Sequence, residues 1–126
     1  MYRDVALSAS LMCIDWLNVG RQIGEIQSAE IDYIHYDIID GVFARDFTMG
    51  SSIIEVIKNQ TSLPSDYHLM VEEPSHIYEI FSLSGEDNFT IHQEACRNLH
   101  REIGAIKDMG AKVGVALSPG TNLDVL

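Results

Sequence analysis

The chain has little with which to hold nucleic acid or to cross a membrane. Only 8 of its 126 residues are Lys or Arg, against 19 Asp and Glu, and the formal net charge is -11 at pH 7. A field of that sign repels phosphodiester backbones and anionic lipid surfaces, so neither nucleic acid nor membrane is expected as a partner. A phosphorylated small molecule stays open, because backbone N–H groups at a helix N-terminus hold phosphate without basic side chains. No apolar run approaches the ~20 residues of a membrane-spanning helix. The opening residues Met1-Tyr2-Arg3-Asp4-Val5 lack the apolar stretch of a secretory signal, so none is expected. The two cysteines, Cys13 and Cys96, form no metal-spaced pair and read as reduced thiols of a cytoplasmic protein. There is no low-complexity segment, no linker and no Gly-rich nucleotide turn. What is present is a 46% hydrophobic chain, long enough for a single domain with a real core, expected over residues 1–126.

Strand-like and helical patterns alternate. Strands are expected at Val5 to Met12, Tyr33 to Ile39, Asp66 to Val71, Asn88 to His92 and Lys112 to Ser118. Asp15 can cap a helix with Trp16, Val19, Ile23 and Ile26 at helical spacing, where Trp16 reads as core. Ser51 or Ser52 opens a second helix. Pro74 starts a short third one carrying Ile77, Ile80 and Phe81. Leu99, Ile103, Ile106 and Met109 form a fourth stripe, closed by Gly110. Successive side chains on a strand point to opposite faces. One face then collects Ser8, Ser10, Met12, His35, Asp37, His68, Met70, Thr90, His92, Gly114, Ala116 and Ser118; the other collects mostly apolar residues. Strands covered by helices on one side and lining an interior on the other fit a TIM (β/α)8 barrel better than an open doubly wound sheet, whose strands are apolar on both faces. Such a barrel takes about 250 residues. The expectation is therefore an N-terminal part of an α/β barrel, with five strands and about four helices.

The chemistry concentrates in Tyr33-Ile34-His35-Tyr36-Asp37-Ile38-Ile39-Asp40-Gly41 and Asp66-Tyr67-His68-Leu69-Met70-Val71. A single His on a strand is most often a satisfied buried histidine. His35 with Asp37 on one face, and His68 on the next strand, instead make a ligand set for a divalent metal with an open position. Asp40-Gly41 reads as a turn. His92 and Glu94 end the fourth strand and read as supporting or structural. His76 and His100 fall on solvated helix faces.

Four ordered motifs then matter together: Ser8-Ala9-Ser10-Leu11-Met12, His35-Tyr36-Asp37-Ile38-Ile39-Asp40-Gly41, His68-Leu69-Met70-Val71-Glu72-Glu73-Pro74, and Lys112-Val113-Gly114-Val115-Ala116-Leu117-Ser118-Pro119-Gly120-Thr121. With them the chain resembles the ribulose-phosphate 3-epimerase family, a TIM-barrel group. The resemblance implies a metal-dependent epimerase acting at C3 of a ketose phosphate. Ribulose 5-phosphate is the first expectation. Allulose 6-phosphate is the alternative within the class, and a non-catalytic half-barrel that only associates with other chains is the alternative outside it. Carried over, the resemblance implies that His35, Asp37 and His68 are metal ligands and that Asp37 is also a catalytic acid/base. It implies that Ser10, His68 and Met70 meet the substrate, and that the parent enzyme is a homo-oligomer. Zn²⁺ is the expected ion, with Fe²⁺, Mn²⁺ or Co²⁺ also compatible with such N/O donors. Two departures stand out. Ile39 occupies a position where the family usually has Met, and Gly41-Val42-Phe43-Ala44-Arg45-Asp46-Phe47-Thr48 differs from the usual Gly-His-Phe-Val-Pro-Asn. The family's second catalytic Asp and its phosphate loops are expected beyond Leu126, which makes the 126 residues alone inactive.

Overall fold

A computed structural model of the chain describes residues 5–126. Met1 to Asp4, weighed above for a secretory signal, lie outside the described residues. Five parallel strands form one sheet in the order β1-β2-β3-β4-β5. They are β1 (Ser8–Ser10), β2 (Tyr33–Ile39), β3 (Ser65–Met70), β4 (Asn88–His92) and β5 (Lys112–Ala116). Three α-helices lie between them: α1 (Val19–Ser28), α2 (Ser51–Lys58) and α3 (Leu99–Asp108). A parallel sheet whose sequential strands are spatial neighbours, joined by helical crossovers, is the repeating unit of a (β/α) barrel. The chain thus has the fold of a partial α/β barrel. No helix among the described residues is long and apolar enough to cross a membrane.

The strand parity decides the faces. Ile34, Tyr36, Tyr67, Leu69, Phe89 and Ile91 are wholly buried and share one cluster with Ile23 of α1, Ile54 and Ile57 of α2, and Ile106 of α3. Each such side chain contributes about 1.5–3 kcal/mol by leaving water. Tyr67 stands at the centre of its aromatic part, 5.4 Å from Tyr36 and 5.2 Å from Phe89 between ring centroids. The opposite face carries the polar residues, half-buried at His35, Asp37, Asp66 and His68.

Several elements differ from expectation, each for a local reason. The first strand is only Ser8–Ser10. The Ser10 hydroxyl accepts from Met12 N and turns the chain into a 3₁₀ turn over Leu11–Cys13. Leu11 is then fully buried, while Met12 leaves the inner face and stands 43% exposed. Asp15 does cap, but it caps a 3₁₀ turn over Trp16–Asn18, accepting from Leu17 N at 3.0 Å. The helix proper starts at Val19, so Trp16 is not core; it is 46% exposed. Trp16, Met12, Leu11, Phe47, Met49 and Ile53 line an open groove of about 400 Å³ instead. The helix expected from Pro74 is two 3₁₀ turns, Pro74–His76 and Tyr78–Ile80, which bury Tyr78 and leave Ile80 exposed. Beyond β5, Leu123–Val125 forms one 3₁₀ turn.

Candidate active site

The polar face of the sheet gathers its chemistry toward the C-terminal ends of the strands, the end at which barrel enzymes build their sites. Register sets the partners. His35 lies beside Asp66, Asp37 beside His68, Ile39 beside Met70, and His68 beside Thr90. Gly114 lies beside Thr90, and a Cβ there would stand 2.5 Å from the threonine Oγ1, so the glycine makes room for it.

Asp37 is the hub. Its Oδ1 lies 3.1 Å from His35 Nε2 and 3.2 Å from His68 Nδ1. Its Oδ2 accepts from Ser10 Oγ at 2.8 Å. One donor atom each from His35, Asp37 and His68 all lie within 4.8 Å of one another. Two imidazole nitrogens and one carboxylate oxygen aimed at a common point are the donor chemistry of a divalent metal site with open positions. The three expected ligands are thus brought together, and the residues fit the group. Ser10 is also at this site. Met70 shares the face of His68, half-buried and one step nearer the strand end, paired in register with Ile39.

The surroundings bias the charges. Burial disfavours ionisation of Asp37, but the Ser10 hydroxyl and the two imidazoles outweigh it and hold the carboxyl below its ordinary value. The hydrogen bond to Asp66 raises the imidazole of His35 above its usual value, with burial opposing. Asp66 is held low by that same bond, again against burial, with Ser8 adding to it. Burial, and then the neighbouring His68, push His92 below the ordinary imidazole value.

Two features frame the mouth. Asp40 accepts from Val42 N and Phe43 N at 2.9 Å each and from Glu72 N at 2.8 Å. It therefore organises the turn after β2 and ties it to the segment after β3. Gly41 takes φ +78°, and a Cβ there would meet the Phe47 ring at 2.3 Å, so the turn requires glycine on both counts. Thr48 Oγ1 donates to the Asp37 carbonyl at 2.5 Å and accepts from Ile39 N at 2.9 Å, which closes the end of β2 where the ladder stops.

One residue was missed in the sequence. Asp66 Oδ2 accepts from His35 Nδ1 and from Ser8 Oγ, both at 2.8 Å. Its parity places it on the face of His68, but its pairing with His35 depends on register, which the strand's own pattern does not reveal.

Comparison with known proteins fits this geometry. A sequence model of the ribulose-phosphate 3 epimerase family matches residues 6–126. The chain belongs to the ribulose-phosphate 3-epimerase family. Ribulose-phosphate 3-epimerase of Bacillus subtilis is 38% identical over 122 residues, covering 97% of this chain and 56% of its own length. The chloroplastic ribulose-5-phosphate-3-epimerase of Arabidopsis thaliana is 35% identical over 98% of this chain and 44% of its own. That of Aquifex aeolicus is 37% identical over 95% and 54%. This family member thus spans about half the length of the curated relatives it matches. Its membership accords with polar residues gathered on one face of a partial barrel.

Proposed function

We propose that the protein built from this chain is a cytoplasmic, metal-dependent 3-epimerase that interconverts ribulose 5-phosphate and xylulose 5-phosphate. The observation that carries this reading is the convergence of His35 Nε2 and His68 Nδ1 on the Asp37 carboxylate. Inverting a carbon next to a carbonyl means removing its proton and returning one to the other face, which two acid/base groups do most simply. Asp37, held ionised, is the acceptor on one side. Ser10, 2.8 Å from it, orients the carboxylate and stands within reach of a substrate hydroxyl. Met70 lines the reacting centre with an apolar thioether that keeps water out. His35, Asp37 and His68 would hold the ion, Zn²⁺ first and Fe²⁺, Mn²⁺ or Co²⁺ as compatible alternatives. When bound, a divalent metal supplies positive charge against the oxygens of the enediolate. The substrate partner is a sugar phosphate, not nucleic acid or membrane, in keeping with the net charge of -11, and the parent enzyme is a homo-oligomer.

The sheet presents its acid/base carboxylate from one side only. Asp66 is engaged by Ser8 and His35, one register step below Asp37, and does not stand across a substrate from it. The second acid/base therefore comes from a part of the protein outside these strands. The test is turnover of ribulose 5-phosphate and of allulose 6-phosphate by the protein carrying this chain, before and after chelation. Turnover of the pentose phosphate, lost on chelation and restored by Zn²⁺, is expected. Turnover unaffected by complete metal removal, or confined to the hexose phosphate, would refute this reading.

A further inference from the structure

We infer that His92, oriented by Glu94, is a positioning residue for His68: it fixes the proton on His68 Nε2 and leaves Nδ1, the nitrogen facing Asp37, free to ligate. The inference rests on the metal reading above and extends it to residues that touch neither ion nor substrate.

His68 Nε2 and His92 Nε2 are 2.9 Å apart, with the ring centroids 5.1 Å apart and the ring planes 27° from parallel. Two neutral imidazole nitrogens at that distance share one proton, so the pair has two arrangements. In the first, His68 carries it on Nε2 and donates to a bare His92 Nε2. His92 then has its own proton on Nδ1, and His68 Nδ1 is bare. In the second, everything reverses: His92 donates, and the His68 proton sits on Nδ1, where it blocks ligation. His92 is 8% exposed. Its Nδ1 is buried without a hydrogen-bond partner, and Glu94 Oε2 stands 3.4 Å away. A protonated Nδ1 meets that carboxylate favourably, whereas a bare Nδ1 would set lone pair against lone pair in a buried place. Glu94 therefore favours the first arrangement; it works against Asp37 Oδ1, 3.2 Å from His68 Nδ1, which favours a proton there until an ion takes that place. Glu94 is itself held from behind: its Oε1 accepts from Ser118 N at 2.7 Å and from the Thr121 hydroxyl. On the other ligand the same task is done directly, since His35 Nδ1 lies 2.8 Å from Asp66 Oδ2. Each ligand's far nitrogen is thus governed by a carboxylate, at one remove for His68. Through Glu94 the segment after β5 is joined to the metal site.

The test is Zn²⁺ affinity of the full 126-residue chain by chelator competition, with Co²⁺ absorption as a second readout and thermal melting of the metal-free chain as the control for folding. Wild type is expected to take one ion. Loss of such an outer partner typically weakens binding about 10- to 100-fold, and H92F should show a loss of that order. H92Q, whose carbonyl still accepts from His68, should retain most of the affinity. E94Q keeps its carbonyl for Ser118 but turns an amide N–H toward His92 Nδ1. It favours the second arrangement and should lose affinity while still folding cooperatively, its melting lowered only by the weakened tie to Ser118 and Thr121, so it carries the test should H92F fail to fold. Unchanged affinity in E94Q, or in a well-folded H92F, would overturn the inference while leaving the site intact. No binding by wild type would instead overturn the metal reading, and this inference with it.

Discussion

Asp37 receives three side chains at once, Ser10 on one oxygen and two imidazoles on the other. In the enzyme carrying this chain, Asp37→Asn removes a ligand and a proton acceptor together. Loss of an acid/base group typically costs about 10² to 10⁴-fold in turnover, and steady-state kinetics should show a loss at or beyond that range. A variant with near-normal kcat would take Asp37 out of the mechanism. At this scale the clustering of His35, Asp37 and His68 was legible, because two-residue spacing on a strand dictates a shared face without knowledge of the rest. Asp66 was not legible. Its role comes from His35 on the neighbouring strand, and the pairing depends on register, which a strand's own pattern does not reveal. The tautomer selection by Glu94 is further from view, since it depends on the chain returning after β5.

At the scale of elements, alternation within strands revealed the sheet and its two faces, while helix starts were less readable. A stripe at helical spacing runs through Trp16 and Val19 alike, yet Asp15 closes a 3₁₀ turn first and throws Trp16 outward. A short capped turn competes with a helix at the cost of a few hydrogen bonds, and sequence period does not separate them. The opposite end of the sheet shows what holds the strands in place. Asp87 is 1% exposed; its carboxylate accepts from Ser65 N at 2.7 Å and Ser84 N at 2.8 Å, with Lys58 Nζ 3.4 Å away. Its backbone carbonyl accepts from Lys112 N. Asp87→Ala leaves the Ser65 and Ser84 N–H groups without their acceptor at about 1–3 kcal/mol each. Urea denaturation should register about 3 kcal/mol lost, and a loss below about 1 kcal/mol would show the anchor to be dispensable. A pH dependence belongs to the tie after β5. The Thr121 hydroxyl, and then Ser118 N, pull the Glu94 carboxyl from its ordinary 4.5 down to about 2. A depressed carboxyl contributes stability that is complete above about pH 4.5 and is lost as pH falls toward 2. Denaturation midpoints should therefore fall more between those pH values for wild type than for Glu94→Gln. Parallel curves would show that the tie adds nothing.

As a whole molecule, the described residues form a five-stranded parallel sheet with β1 and β5 at its edges, in a chain that covers 56% of the Bacillus subtilis relative. The fold class was readable because burial on one face and polarity on the other repeat strand after strand between helices, which fits a barrel interior better than a doubly wound sheet. The sugar was not, because nothing in the strand pattern encodes which hydroxyls the loop over Gly41 to Thr48 meets. On the proposed reading these strands hold the ion and present one acid/base, Asp37, while the opposing one comes from outside them. The decisive measurement joins this chain to the portion of the Bacillus subtilis relative left uncovered by the match, and follows the C3 proton of ribulose 5-phosphate in D₂O by NMR with Zn²⁺ present. Solvent deuterium should enter C3 with formation of xylulose 5-phosphate in the joined protein, and neither should occur with its Asp37→Asn variant or with the 126 residues alone. Exchange at the wild-type rate in the Asp37→Asn variant, or turnover by a monomer of the 126 residues, would contradict the assignment of Asp37 as one of two opposed acid/base groups.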